Sequence, residues 1–104
     1  MSEKKIKDLA LKYKNTLLRN GVPVSGIYLF GSHARGIAKV GSDIDFCVIS
    51  SSFGKNDFQE MVKINQLAKI TSPEIEAFPV SVEDFGKRTN PFINEAIKTG
   101  KKIV

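Results

Sequence analysis

Two aspartates one residue apart, Asp43 and Asp45, stand in Ser42-Asp43-Ile44-Asp45-Phe46-Cys47-Val48-Ile49, a run that otherwise reads as a buried strand over residues 43–49. Alternation puts Asp43, Asp45 and Cys47 on one face and Ile44, Phe46 and Val48 on the other. Two residues along a strand cover about 6.6 Å, so the two carboxylates can converge on a common point. Left alone they repel, and one has its pKa raised. Lys39 lies four residues before Asp43, across Gly41, and can reach. A divalent cation is the better neutraliser: Mg2+ takes a few carboxylate oxygens and completes its octahedron with water and substrate phosphates. Two metal ions about 3.5–4 Å apart can clamp the attacking and leaving oxygens of a phosphoryl or nucleotidyl transfer.

Two metals want a third carboxylate. Glu76, in the apolar run Ile75-Glu76-Ala77-Phe78, is the best candidate, since a neighbouring strand would set it beside Asp43 and Asp45. Glu74 shares its face but stands next to Pro73, nearer the strand's end, and is the alternative. Separated from Asp43 by ten residues comes Gly31-Ser32, at the end of the apolar run Gly26-Ile27-Tyr28-Leu29-Phe30. A glycine there lets backbone approach a phosphate closely. The amides that follow open a short helix, and helix N-termini attract anions. The Ser32 hydroxyl can donate to a phosphate oxygen, and Arg35 on the same turn can pair with one. His33 reads as a surface turn residue. No Gly-Lys-Ser/Thr follows the glycine, so this is not a Walker A loop. Singly, each piece is ordinary: a turn, a polar edge strand, a solvent-facing glutamate. Their conjunction is restrictive.

The elements that must position these residues alternate along the chain. Residues 4–19 carry Ile6, Leu9, Ala10, Tyr13, Leu17 and Leu18 at helical spacing, stopped by Asn20-Gly21 with Pro23 beyond. A strand over 26–30 and a short helix over 33–39, ended by Gly41, lead into the aspartate strand. Asn56 or Asp57 caps a helix running to about Thr71, with Phe58, Met61, Ile64, Leu67 and Ala68 inward. A third strand spans 75–78, closed by Pro79. Ser81-Val82-Glu83-Asp84 resembles a capping box that starts a short helix. Asn90-Pro91 opens a last helix with Phe92, Ile93, Ala96 and Ile97 inward; Gly100 ends it, and Ile103-Val104 adds an edge strand. The expected class is α/β (α+β): a small mixed sheet of three to four strands flanked by helices.

With 104 residues the chain is expected to form one domain, 1–104, with one core of two packed layers. Its 41% apolar and 26% charged residues mark a globular chain rather than a disordered one. No apolar run is long enough to span a bilayer and no signal-peptide region opens the chain, so a cytoplasmic location with no membrane partner is expected. The lone Cys47 excludes an internal disulfide and reads as a small core residue. The net charge of +5 is spread over every segment, without the aromatic and basic interleaving of a stacking platform, so nucleic acid ranks last among partners.

Gly31-Ser32-x10-Asp43-x-Asp45 resembles the signature of the DNA polymerase β-like nucleotidyltransferase superfamily. Gly31-Ser32-His33-Ala34-Arg35-Gly36 followed by Ser42-Asp43-Ile44-Asp45 resembles its minimal nucleotidyltransferase (MNT) branch, over nearly the whole chain. The resemblance implies ATP or another nucleoside triphosphate as donor and Mg2+ as cofactor, two ions being expected. Asp43 and Asp45 match the metal-binding aspartates; Glu76 matches the third carboxylate by position. Gly31 and Ser32 match the phosphate-binding pair, with Arg35 and Ser42 beside them as nucleotide-binding candidates. Many MNT proteins resemble antitoxins that bind a HEPN-domain toxin and transfer AMP to a tyrosine on it. A heteromeric HEPN-domain partner is therefore implied, and a chain this short would need another protein to supply the acceptor. The alternative is a module that neutralises its partner by docking, with weak or no transfer.

Overall fold

The computed structural model of the protein describes residues 2–39, 41–87, 91, 94, 98 and 100–104. Helix α1 (Glu3–Arg19) starts where Ser2 Oγ accepts the Lys5 amide at 3.2 Å. Ile6, Ala10, Tyr13 and Leu17 form its buried stripe. Strand β1 (Gly26–Phe30) runs directly into helix α2 (Gly31–Ala34). Strand β2 (Ile44–Ser50) follows a loop. Helix α3 (Asp57–Thr71) is capped twice: Asn56 Oδ1 accepts the Gln59 amide, and the Glu60 carboxylate accepts the amides of Gly54, Lys55 and Asn56. Strand β3 (Ile75–Ser81), helix α4 (Val82–Lys87) and the two-residue strand β4 (Lys101–Lys102) complete the described elements. The Ser81 hydroxyl accepts the Asp84 amide at 3.0 Å, the capping expected there.

The sheet order is β3-β2-β1-β4. β1 is antiparallel to both β2 and β4, while β2 and β3 are parallel, joined by α3. The sheet is therefore mixed, with helices against it. Period-2 alternation divides it into two faces. Ile27, Leu29, Ile44, Phe46, Val48, Ile75 and Ala77 pack with the buried residues of α1 and α3 into the main core. Cys47, Ile49 and Val80 form a smaller cluster on the other face, with Tyr28, Phe30 and Phe85 against it. No described helix is long and apolar enough to cross a membrane.

Several boundaries differ from the sequence reading. The short helix spans Gly31–Ala34, not 33–39, because the chain turns at Gly36 with φ +72°. Asp43 precedes β2 rather than opening it. β3 continues through Pro79 to Ser81, which an edge strand allows. On α3, Ile64, Leu67 and Ala68 are buried as expected, but Phe58 is 77% exposed and Met61 42%. The last strand is Lys101–Lys102; Ile103 and Val104 still bond to the Ile27 backbone. Of the last helix, Phe92, Ile93, Ala96 and Ile97 lie outside the described residues.

Candidate active site

The register of the sheet assembles the site. Asp45 is paired with Phe30 of β1 on one side and with Glu76 of β3 on the other. Alternation sends Asp45 and Glu76 to the face opposite the main core, while Ile44, Phe46, Ile75 and Ala77 fill that core behind them. Parallel pairing of β2 with β3 thus brings together two carboxylates far apart in sequence. Asp43, exposed just ahead of β2, adds a third.

Asp45 is half-buried, and its carboxyl pKa is raised. Burial is the largest cause, followed by the charges of Glu76 and then Asp43, with His33 acting in the opposite sense. Lys39 makes no ion pair with Asp43 among the described residues. The cluster therefore carries an excess of negative charge.

Gly31 lies against this cluster. Its φ is +73°, and a Cβ placed there would overlap Asp45 Oδ2. The start of α2 and the Asp45 carboxylate are thus in direct contact, which only glycine permits. Phe30, at the N-cap of α2, offers its first amides no side-chain acceptor. The amides of Arg35 and Ile37 donate to the carbonyls of Gly31 and Ser32 at 3.2 and 3.0 Å. Arg35 is exposed at the C-cap. Ser42 closes the following loop: its hydroxyl accepts the Lys39 amide at 2.9 Å, and its amide donates to the Lys39 carbonyl at 3.0 Å.

His33 corrects the sequence reading. It is half-buried rather than a surface turn residue, and its Nε2 lies 3.5 Å from the Ser42 carbonyl oxygen. It joins α2 to the segment that leads into Asp43. No local spacing signals this, because the contact depends on how the loop from 35 to 42 folds back. Glu74 lies at the end of β3, its carbonyl accepting the Ile44 amide at 2.8 Å. Its side chain lines a hollow with Lys5, His33 and Lys39 and is not in register with Asp45, so position favours Glu76 over Glu74 as the third carboxylate. Cys47 is buried as expected, and burial pushes its thiol up to about 12, which makes it inert at neutral pH.

In charge and donor type, Asp43, Asp45 and Glu76 fit a hard divalent cation: three carboxylates, with Asp45 repelled by the other two and no ion pair to any of them among the described residues. The three do not converge as the sequence reading expects: among the described residues no group of three or more His, Cys, Asp or Glu side chains is arranged to hold a metal ion. An open arrangement suits Mg2+, which keeps waters and takes phosphate oxygens as ligands.

The family model described as Polymerase beta, Nucleotidyltransferase matches residues 4–104. Among curated proteins, none matches. Among solved structures, a candidate nucleotidyltransferase from Sulfolobus solfataricus is 18% identical, with TM-score 0.68 over 96% of this chain and 80% of its own. A toxin–antitoxin complex solved with AMP-PNP is 22% identical, with TM-score 0.61 over 94% and 72% of the two chains. A variant of the MntA–HpeT toxin–antitoxin pair is 22% identical, with TM-score 0.56 over 100% and 73%. These likenesses show the fold.

Proposed function

The chain belongs to the polymerase beta nucleotidyltransferase family, and on that premise we propose that it transfers AMP from ATP to a hydroxyl acceptor. The acceptor is a tyrosine on a HEPN-type toxin, which the chain, acting as one domain in the cytoplasm, neutralises as an antitoxin. The observation that carries this reading is the contact of Gly31 with Asp45 at the level where Asp45 pairs with Glu76. It sets a turn able to take phosphate against a carboxylate cluster able to take metal. Likeness of fold to toxin–antitoxin structures, one with AMP-PNP, supports the donor and the partner.

In this reading the amides after Gly31 and the Ser32 hydroxyl bind the outer phosphates, with Arg35 and Ser42 closing over them. Asp43, Asp45 and Glu76 hold Mg2+, which when bound neutralises charge on the triphosphate and its leaving group. The acceptor oxygen forms a bond to the α-phosphorus. The bond from that phosphorus to the bridging oxygen breaks, and pyrophosphate leaves. The hydroxyl proton passes to a carboxylate of the cluster, Glu76, which is exposed and reachable.

The test is incubation with α-labelled ATP, Mg2+ and a co-encoded protein. Label is expected on that protein. No label, or wild type no better than Asp45→Asn, would overturn the reading. If the toxin stays neutralised by Asp43→Asn with Asp45→Asn while the complex still forms, docking alone is responsible.

A further inference from the structure

The sheet sets an aromatic pair directly behind the carboxylates, on the same face. Phe30, Asp45 and Glu76 are in register across β1, β2 and β3, and the next row on that face is Tyr28, Cys47 and Phe78. Gly31 follows Phe30, so the turn lies beyond the first row, on the side away from the second. β1 and β3 flank β2 and lie about 9.6 Å apart, yet the Phe30 and Phe78 rings meet edge to face with centroids 5.2 Å apart. The two rings therefore lean over β2 towards each other, across the step from Asp45 to Cys47. Cys47 is buried, while Phe30 and Phe78 are half-buried, so part of each ring stays accessible. Further back, Phe85 of α4 packs on Tyr28 with centroids 5.4 Å apart. The carboxylates thus have a glycine turn on one side and an aromatic wall on the other.

In a nucleotidyl transfer the attacking and leaving oxygens stand in line, on opposite sides of the phosphorus. With the outer phosphates on the Gly31–Ser32 turn and the α-phosphate at the carboxylates, the acceptor oxygen arrives from the side of the aromatic wall. The nucleobase has no such claim on that side, because the nucleoside hangs from an oxygen that neither attacks nor leaves.

We propose that Phe30 and Phe78 seat the aromatic ring of the acceptor and so select a phenol over an aliphatic alcohol. This rests on the transferase reading and names the residues that choose its acceptor. Offset or edge-to-face packing on the wall holds the ring. The rows are about 6.6 Å apart, so a ring against the wall carries its hydroxyl to the level of Asp45 and Glu76, where a serine side chain leaves the space unfilled. The phenol oxygen then bonds to the α-phosphorus and its proton passes to Glu76. The bond to the bridging oxygen breaks, and its electron pair leaves with pyrophosphate.

The experiment takes the full chain, isotope-labelled in its phenylalanine rings, with AMP-PNP and Mg2+. The probes are a tyrosine peptide and the same peptide with serine in its place. The NMR signals of the Phe30 and Phe78 rings, assigned through Phe30→Leu and Phe78→Leu, should move with the tyrosine peptide and stay still with the serine one. With α-labelled ATP, the tyrosine peptide is expected to take label at about tenfold higher kcat/KM. Each leucine variant keeps an apolar cover over Cys47. It should raise KM for the tyrosine peptide about two- to tenfold, the worth of an aromatic pair, while ATP affinity by calorimetry matches wild type. Rings that move with AMP-PNP alone make the wall a seat for the base. Rings that move with neither peptide, or leucine variants with wild-type KM, make it a cover for Cys47 and nothing more. Each of these outcomes, like an unlabelled tyrosine peptide despite ATP binding, overturns the proposal and leaves nucleotide binding standing. If wild type binds no ATP with Mg2+, the transferase reading falls and this one with it.

Discussion

Gly31 and Asp45 are coupled more tightly than sequence alone could say. Their types and spacing raise the expectation of a phosphate turn and a metal ligand, but do not say that the carboxylate rests against the glycine. Gly31→Ala should cost about 1–2 kcal/mol for a side chain at positive φ, and also push the Asp45 carboxylate aside. Gly36→Ala, at φ +72° with open space around the added Cβ, should show the strain alone. Urea denaturation reads the first effect, and loss of the Mg2+-induced rise in Tm, only in the Gly31 variant, reads the second. Asp45 carries a second prediction. Its carboxyl keeps its proton to higher pH in the folded chain than in the unfolded one, through burial and the charges of Glu76 and Asp43. Its contribution to stability is therefore full below the ordinary carboxylate pKa and lost as pH rises through the raised value. Metal-free wild type should lose stability across that window. Asp45→Asn should not, and should match or exceed wild-type Tm at pH 7. Added Mg2+ should raise the Tm of wild type but leave Asp45→Asn unmoved. A metal-free Asp45→Asn clearly less stable than wild type at pH 7 would show that burial and the neighbouring charges do not penalise the ionised carboxylate.

β3 is legible in the sequence as a strand but not as an edge. Lone apolar runs such as Ile75–Phe78 do not say which neighbours they have, so Pro79 reads as a stop. In the sheet, Pro79 shares the outward parity of Ala77, where a missing N–H costs no ladder bond. α3 covers the rest of that edge with side chains. Asn65 Nδ2 donates to the Ala77 carbonyl at 2.8 Å, and its Oδ1 accepts the Ala77 amide at 2.9 Å. Lys69 Nζ donates to the Ile75 carbonyl at 2.7 Å. The same helix misled the inward reading because it is apolar nearly all round. Phe58 lies roughly 120° from Ile64 about the axis and Met61 about 60°, at the margin of the stripe that Ile64, Leu67 and Ala68 define. Asn65→Ala should uncover both backbone groups of Ala77, lowering stability by about 1–2 kcal/mol and opening the edge to pairing with another chain. Chemical denaturation measures the first, and light scattering at increasing concentration the second. Unchanged scattering with unchanged stability would mean that water serves the edge as well as Asn65 does.

Across the whole molecule, the two faces of the sheet divide the work, and simple alternation along β2 already showed this division. One face binds the helical layer; the other carries Asp45 and Glu76. Tyr13 is where the helical layer is fastened. It is fully buried on α1, its hydroxyl donates to the Ile64 carbonyl of α3 at 2.7 Å, and its ring stacks on Phe46 of β2 with centroids 6.3 Å apart. Burial raises its phenol pKa, so it stays a neutral donor throughout the working range. From the sequence Tyr13 was only one apolar position among six; its partner lies 51 residues away, and no local pattern reports that. Tyr13→Phe keeps the ring and removes the bond, leaving the Ile64 carbonyl with its helical partner alone. The expected loss is about 1 kcal/mol, or about 4–8 °C in Tm for a domain near 100 residues. Because the bond lies behind the sheet from the carboxylates, the rise in Tm on adding Mg2+ and ATP should match that of wild type. If Tyr13→Phe shrinks that rise as strongly as Asp45→Asn does, the site depends on the packing of α1 and α3, and the two faces are not independent.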